Sequence, residues 1–309
     1  MAILFSYAGG DADFWRRQME EYVPSQEFRV FPDTGDPNDI KFAMVWLHPG
    51  GDLKNYPNLK AILSLGAGVE HVLRDTDLPE GIPIVRLVDD MMNQDMSLHV
   101  VHWVIHFHRS YHVYAKDQGD KRWQRLRFPD TRERRVGILG MGELGGEAAR
   151  RVHDLGFDVA GWSHTPKTIK GVESFHGDDS LMPFLRRTDI LASLLPLTPS
   201  TENLLDKEKF AAMPEGAYFI NLSRGAIVVD KDLLAALDSG AIAGAALDVF
   251  RTEPLPPDHP YWSHPKVSVT PHAAGPTNDR SAARKMAENI NRVLAGEAPY
   301  PVLDIKRGY

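Results

Sequence analysis

The sequence contains no cysteine, which removes thiol nucleophiles, CxxC redox chemistry, thiolate zinc sites and iron–sulfur ligation together. It also lacks any apolar run near the ~18 residues that a membrane helix needs. The stretch from Met1 to Gly10 has no basic segment and only a short apolar run before Asp11 and Asp13, so it reads as a first strand and not a signal peptide. Positive charge is in short supply: 35 Lys and Arg stand against 42 Asp and Glu, a formal −7. That balance offers no general attraction for nucleic acid or a membrane surface, so any anion site must be local. A soluble, cytoplasmic chain that partners neither nucleic acid nor membrane is the expectation.

What is present suits two globular domains: 309 residues, 43% of them hydrophobic, against about 150 residues per domain. Short apolar runs at 2–7, 28–31, 42–47, 59–65 and 82–87 read as strands, with a helix from Asp11 between the first two. Strands separated by helix-length segments imply parallel βαβ units. The long stretch from Met91 to Tyr114 carries Met96, Val100, Val104, Phe107 and Tyr111 at spacings of three and four, as one face of a buried helix. A charged link, Lys116 to Arg135, follows and marks a candidate domain transition. Beyond it, strands at 135–139, 158–163, 189–194, 217–223, 242–249 and 267–270 alternate with helices at 142–154, near Leu181 and at 231–238. That is a second α/β unit of Rossmann size. A final helix over about 276–294 has a destination that periodicity does not assign. The expected fold class is α/β, two parallel-sheet domains with a cleft between them.

Gly140-Met141-Gly142-Glu143-Leu144-Gly145 follows the apolar run Val136 to Leu139 and opens a helical segment, the context that gives a GxGxxG match its meaning. The first glycine permits a tight turn, the second a close backbone approach to a pyrophosphate, and the third close packing of helix on strand. The helix N-terminus then offers free N–H groups to an anion. A ligand-free glycine turn is the bland alternative. An NAD site usually ends its second strand with a carboxylate for the ribose 2′-OH. Here that strand ends Gly161-Trp162-Ser163-His164-Thr165-Pro166-Lys167, and Asp158 sits at its other end. Ser163, His164, Thr165 and Lys167 offer hydroxyls and cationic donors suited to a 2′-phosphate. The cofactor expected is NADP(H) in preference to NAD(H), with NAD(H) still possible.

Three later segments place polar residues at the carboxyl ends of predicted strands: Asn221 to Gly225, Asp248 to Pro254, and Thr270 to Gly275. In an open α/β sheet, ligands sit outside those ends. Arg224 there can grip a carboxylate and polarise the adjacent carbonyl. His272 can protonate a developing alkoxide, with Glu253 favouring its cationic form. Singly, each has an ordinary structural reading. Together they suit reduction of a small 2-keto acid to the 2-hydroxy acid, with hydride delivered to C2.

These motifs, with Val45-Trp46, Leu65-Gly66-Ala67-Gly68-Val69, Leu194 to Pro199 and the terminal Arg307-Gly308-Tyr309, resemble the D-2-hydroxyacid dehydrogenases. Within them the chain looks most like the glyoxylate/hydroxypyruvate reductase A group. The resemblance implies that Arg224, Glu253 and His272 are catalytic, and that Ala67 and Gly68 hold the substrate carboxylate through backbone N–H groups. It places Trp46 at the substrate pocket, a core tryptophan being the alternative. Cofactor contacts are implied for Gly140, Gly142, Glu143, Leu144, Gly145, Leu195, Pro196, Ser223 and Asp248. It implies that 1–97 with 280–309 form a flavodoxin-like substrate-binding domain and 98–279 a dinucleotide-binding Rossmann domain, in a homodimer. One departure is His164, where the group commonly has arginine, which weakens the grip on a 2′-phosphate. A non-enzymatic dinucleotide sensor of the same fold, like a corepressor, is the alternative function.

His99, His102 and His106 share helical spacing, but hydride transfer needs no metal and no carboxylate-rich motif joins them, so no metal site is expected. The basic run Lys121 to Arg135 reads as a solvated link or subunit contact.

Overall fold

The structure, a computed structural model, describes residues 1–305; the terminal Arg307-Gly308-Tyr309 lies outside the described residues. The chain divides into two units, one of Met1–Met92 with the residues from Thr277 on, the other Asn93–Pro276.

The first unit is a five-stranded parallel sheet built from β1 (Ala2–Ser6), β2 (Glu27–Val30), β3 (Ile40–Val45), β4 (Ala61–Ser64) and β5 (Ile84–Val85), with α1 (Ala12–Tyr22) after β1 and the short α2 (Glu70–Leu73) after β4. Its order, β2-β1-β3-β4-β5, is the flavodoxin-like one. β1, β4 and most of β3 are buried along their length, as strands covered on both faces must be. Asp11 caps α1 by accepting from the Phe14 amide at 3.0 Å, and Trp15 and Met19 fill the interior face. Burial of side chains of this size stabilises by roughly 1.5–3 kcal/mol each.

The C-terminal helix Asp279–Leu294, capped by Asn278, packs against α1. After it the chain pairs with β5: the Leu303 amide donates to Ile84 O at 2.8 Å and the Arg86 amide to Pro301 O at 3.0 Å. Ser281 Oγ donates to Asp89 Oδ2 at 2.6 Å. The sheet thus closes with residues some 200 positions apart in sequence, which no local pattern announces.

The second unit begins inside α3 (Asp90–His108) and continues through α4 (Tyr111–Gly119), β6 (Arg135–Leu139), α5 (Glu143–Asp154), β7 (Asp158–Ser163), β8 (Glu173–His176), α6 (Leu181–Arg186), β9 (Ile190–Ser193), α7 (Lys207–Ala212), β10 (Ala217–Asn221), α8 (Asp230–Ser239), β11 (Ile242–Leu247) and β12 (Val267–Val269). All seven strands run parallel in the order β12-β11-β10-β9-β6-β7-β8. The order reverses between β6 and β9, the switch point where such sheets bind ligands.

Two expectations need correction. The unit boundary falls between Met92 and Asn93, within α3, and not in the link Lys116 to Arg135. The link's charge reflects exposure: Arg122 pairs with Asp117 and Asp120, Arg132 with Asp130, and Arg135 with Asp189. The apolar stretch is also two helices, broken at Ser110 with φ 55°. Met96, Val100, Val104 and Phe107 are buried, whereas Tyr111, past the break, is 48% exposed. Among the described residues no helix is long and apolar enough to cross a membrane.

Candidate active site

The glycine loop joins β6 to α5. Gly140 has φ 105°, and a Cβ there would lie 2.8 Å from the Leu194–Leu195 peptide. Glycine is therefore required both for the turn and for seating Leu195 and Pro196 beside it. A Cβ on Gly145 would meet Gly140 O at 1.7 Å, so only glycine lets α5 start this close to β6. Gly142 differs: a Cβ there meets nothing within 4 Å. It caps α5 without a side-chain bond, leaving amides and the positive end of a twelve-residue helix facing open space. Glu143 and Leu144 form that first turn. A dinucleotide pyrophosphate fits this arrangement, because the two glycines that touch protein serve the turn and the one that does not leaves room.

At the carboxyl end of β7, Ser163 Oγ donates to Thr165 O at 2.7 Å. His164, Thr165 and Lys167 are exposed. Asp158, at the opposite end of the strand, pairs with Arg187 at 2.6 Å. No acid lies on the β7 end, but Asp178, from the segment after β8, stands 3.6 Å from His164 Nδ1. Its approach depends on β8 pairing with β7, so a reading along the second strand misses it. His164 also stands edge-on to Trp162, with ring centroids 5.0 Å apart.

The carboxyl ends of β10, β11 and β12 bring Arg224, Glu253 and His272 together. Asn221 fixes the first loop: its Oδ1 accepts from the Ser223 amide and hydroxyl and its Nδ2 donates to Arg224 O. Ser223 Oγ also meets Ser193 Oγ at 2.9 Å. A Cβ on Gly225 would fall 1.9 Å from the Phe250 carbonyl carbon, so glycine there lets the Arg224 loop lie directly on the loop that carries Glu253. Arg224 is half-buried, with its guanidinium donating to Ser223 O at 2.7 Å.

Glu253 Oε2 lies 2.7 Å from His272 Nδ1, and Oε1 accepts from the Phe250 amide at 2.9 Å. Burial pushes the Glu253 carboxyl up. The His272 hydrogen bond, the Phe250 amide and the His272 and Arg224 charges outweigh burial and leave it below the usual glutamate value. An ionised carboxylate only accepts, so Nδ1 carries the proton and Nε2 is the nitrogen left to exchange one.

His272 itself has φ 51°, a left-handed conformation that costs a non-glycine residue on the order of 1 kcal/mol or more. Asp248, 1% exposed, holds it there. Its carboxylate accepts from Thr270 Oγ1 at 2.6 Å and from the Ala273 and Ala274 amides at 2.9 and 3.0 Å, while its carbonyl takes the His272 amide at 2.8 Å. The side chains of Asp248 and Ser223, both expected at the cofactor, also anchor the loops that present His272 and Arg224.

In the first unit, Trp46 is half-buried just past β3 and packs on Gly66, where a Cβ would meet its ring at 2.4 Å. Ala67 and Gly68, partly exposed, follow in the loop after β4. Trp46 is therefore a loop residue and not part of the interior. Of the helix histidines, His106 is pushed down to about 4 by burial and by the His112 and His102 charges. Among the described residues no three His, Asp or Glu side chains are grouped to hold a metal ion.

The sequence profile of the D-isomer specific 2-hydroxyacid dehydrogenase NAD binding domain matches residues 101–274. The chain belongs to this family. Glyoxylate/hydroxypyruvate reductase A of Photorhabdus laumondii is 42% identical over 314 residues, with both chains covered in full. The dehydrogenase also superposes on solved relatives. A D-isomer specific 2-hydroxyacid dehydrogenase from Xanthobacter autotrophicus Py2, in complex with NADPH and MES, matches at TM-score 0.96 and 40% identity, covering 100% of this chain and 99% of that one. An NADPH-dependent glyoxylate/hydroxypyruvate reductase from Sinorhizobium meliloti, with NADP and sulfate bound, matches at 0.92 and 34% with both chains covered in full.

Proposed function

We propose that this dehydrogenase is an NADPH-preferring reductase of small 2-keto acids of the glyoxylate and hydroxypyruvate class. One observation carries the chemistry: the 2.7 Å contact between Glu253 and His272 Nδ1 at strand ends shared with Arg224. The cofactor preference rests on a β7 end that carries Ser163, His164, Thr165 and Lys167 and no acid, and on the NADPH and NADP bound by the relatives from Xanthobacter and Sinorhizobium.

NADPH, when bound, supplies the hydride that C2 of the keto acid receives. Gly140, Gly142, Glu143, Leu144 and Gly145 would hold its pyrophosphate at the α5 N-terminus, beside Leu195 and Pro196. Arg224 pairs with the substrate carboxylate and draws electron density from the neighbouring carbonyl oxygen. His272 donates its Nε2 proton to that oxygen as it becomes an alkoxide, and Glu253 supports the cation through Nδ1. Backbone N–H groups at Ala67 and Gly68 would hold the carboxylate, with Trp46 limiting substrate size. The first unit is thus read as the substrate domain, the second as the dinucleotide domain, and the working molecule as a homodimer.

A screen at 340 nm of small 2-keto acids against NADH and NADPH tests this reading. Glyoxylate and hydroxypyruvate should be reduced with NADPH preferred. Preference for NADH by about tenfold, which is about 1.4 kcal/mol, refutes the cofactor assignment. Binding of NADPH without turnover of any keto acid would favour a dinucleotide sensor instead.

A further inference from the structure

The loop Leu65 to Val69 closes over a buried network. Ser64, 0% exposed, lies 2.9 Å from His71 Nε2 and donates from Oγ to Gly66 O at 2.9 Å, with Gly68 O at 3.3 Å. The Leu47 amide donates to His71 Nδ1 at 3.3 Å. That donor sets the tautomer of the His71 ring. Nδ1 accepts, so it carries no hydrogen; Nε2 then bears the ring proton and donates to Ser64 Oγ. The Ser64 hydrogen is left for the Gly66 and Gly68 carbonyls.

Two further contacts lock the same side chains. The His71 ring packs on Trp46 with centroids 4.3 Å apart, and Trp46 in turn lies on Gly66. Leu47, which supplies the amide, has φ 54° and so is held in a conformation it would not choose alone.

Peptide planarity gives the network a consequence on the other face of the loop. In a trans peptide the C=O and the following N–H point in opposite directions, and the cis bonds of this chain lie elsewhere. With the Gly66 and Gly68 carbonyls drawn in to Ser64, the Ala67 and Val69 N–H groups face away from it. Neither amide donates to an acceptor among the described residues.

We propose that His71, acting through Ser64, is a positioning residue for the substrate carboxylate: the neutral His71 Nε2–H and the Ser64 hydroxyl turn the 66–69 loop so that its amides present to the anion. This rests on the reading that this loop binds a 2-keto acid carboxylate, and it adds Val69 N–H to the donors and gives Ser64 and His71 a role. Because the carboxylate is unchanged through the reaction, the loop binds ground state and transition state alike, and its loss acts on KM.

The test compares Ser64→Ala, Ser64→Thr and His71→Gln with wild type, using glyoxylate as substrate and NADPH affinity by fluorescence as the measure of an intact fold. Ser64→Ala and His71→Gln should raise KM for glyoxylate by about tenfold, one hydrogen bond's worth. They should lower kcat by less than about threefold and leave NADPH affinity alone, and Ser64→Thr, which keeps the hydroxyl, should restore KM. A fall in kcat with KM unchanged, or a wild-type KM in both variants, overturns the proposal. So does an elevated KM in Ser64→Thr equal to that of Ser64→Ala. A wild-type chain that reduces no 2-keto acid refutes the underlying reading itself, whatever the variants do.

Discussion

Replacing Glu253 by glutamine keeps the shape of the side chain and removes its charge, which isolates what the carboxylate does for His272. The carboxylate accepts two hydrogen bonds, from His272 Nδ1 at 2.7 Å and from the Phe250 amide at 2.9 Å. Glutamine has one accepting oxygen, so it can serve only one of these donors and must turn its NH2 toward the other. The bond to a charged partner is worth about 1.5–3 kcal/mol against about 0.5–1.5 for a neutral one. His272 is 50% exposed and Glu253 35%, so solvent screening holds the charge contribution to the lower end, about 1 kcal/mol. Loss of one acceptor adds about 1 kcal/mol more. The sum, about 2 kcal/mol, corresponds to about a 30-fold loss of kcat/KM. The assay is glyoxylate-dependent NADPH oxidation, with NADPH affinity measured in parallel. A loss under about threefold with NADPH affinity intact refutes the reasoning, since it would mean that His272 needs no anionic partner.

Three other outcomes follow from the geometry. Gly225→Ala puts a methyl group 1.9 Å from the Phe250 carbonyl carbon, so it should destabilise by about 1–3 kcal/mol, a melting-temperature loss of several degrees. Because it pries the Arg224 loop from the Glu253 loop, turnover should fall with it; calorimetry and rate together check both. His164→Arg adds a fixed cation beside the expected 2′-phosphate, and should raise the ratio of kcat/KM for NADPH over NADH by about fivefold or more. An unchanged ratio would show that this side chain does not meet the phosphate. Glu253 ionises below the usual glutamate value in the folded chain. Its contribution to stability is therefore present above the unfolded value and is lost as pH falls through the lower folded one. Acid loss of wild-type activity should accordingly begin below the ordinary glutamate range, which a pH–rate profile corrected for unfolding would show.

Much of this site was legible in the sequence because its parts are local. The glycine loop needs only a strand before it and a helix after it, and Arg224, Glu253 and His272 each follow a strand that its own residues announce. What escaped depends on contacts between distant segments. Asp178 reaches His164 only because β8 lies beside β7. The periodicity of Asp279–Leu294 announces a helix but not the sheet it covers, and the return to β5 runs through backbone bonds that carry no residue signature. Asp248 stood out as polar at a strand end, which describes a ligand contact and a loop anchor equally well. Its four acceptor contacts to the 270–274 loop show the second of these roles, which the strand-end pattern alone does not announce. The charged link Lys116 to Arg135 mimicked a domain boundary because exposure and linkage produce the same composition.

On the proposed reading, Arg224 and His272 carry out keto-acid reduction in a chain that binds NADPH without them. Single-turnover oxidation of NADPH by glyoxylate, measured at 340 nm for wild type, Arg224→Ala and His272→Ala at matched NADPH saturation, tests it most directly. Wild type should oxidise NADPH rapidly and each variant should lose about a hundredfold or more, with NADPH still bound. Wild-type rates in either variant would contradict it.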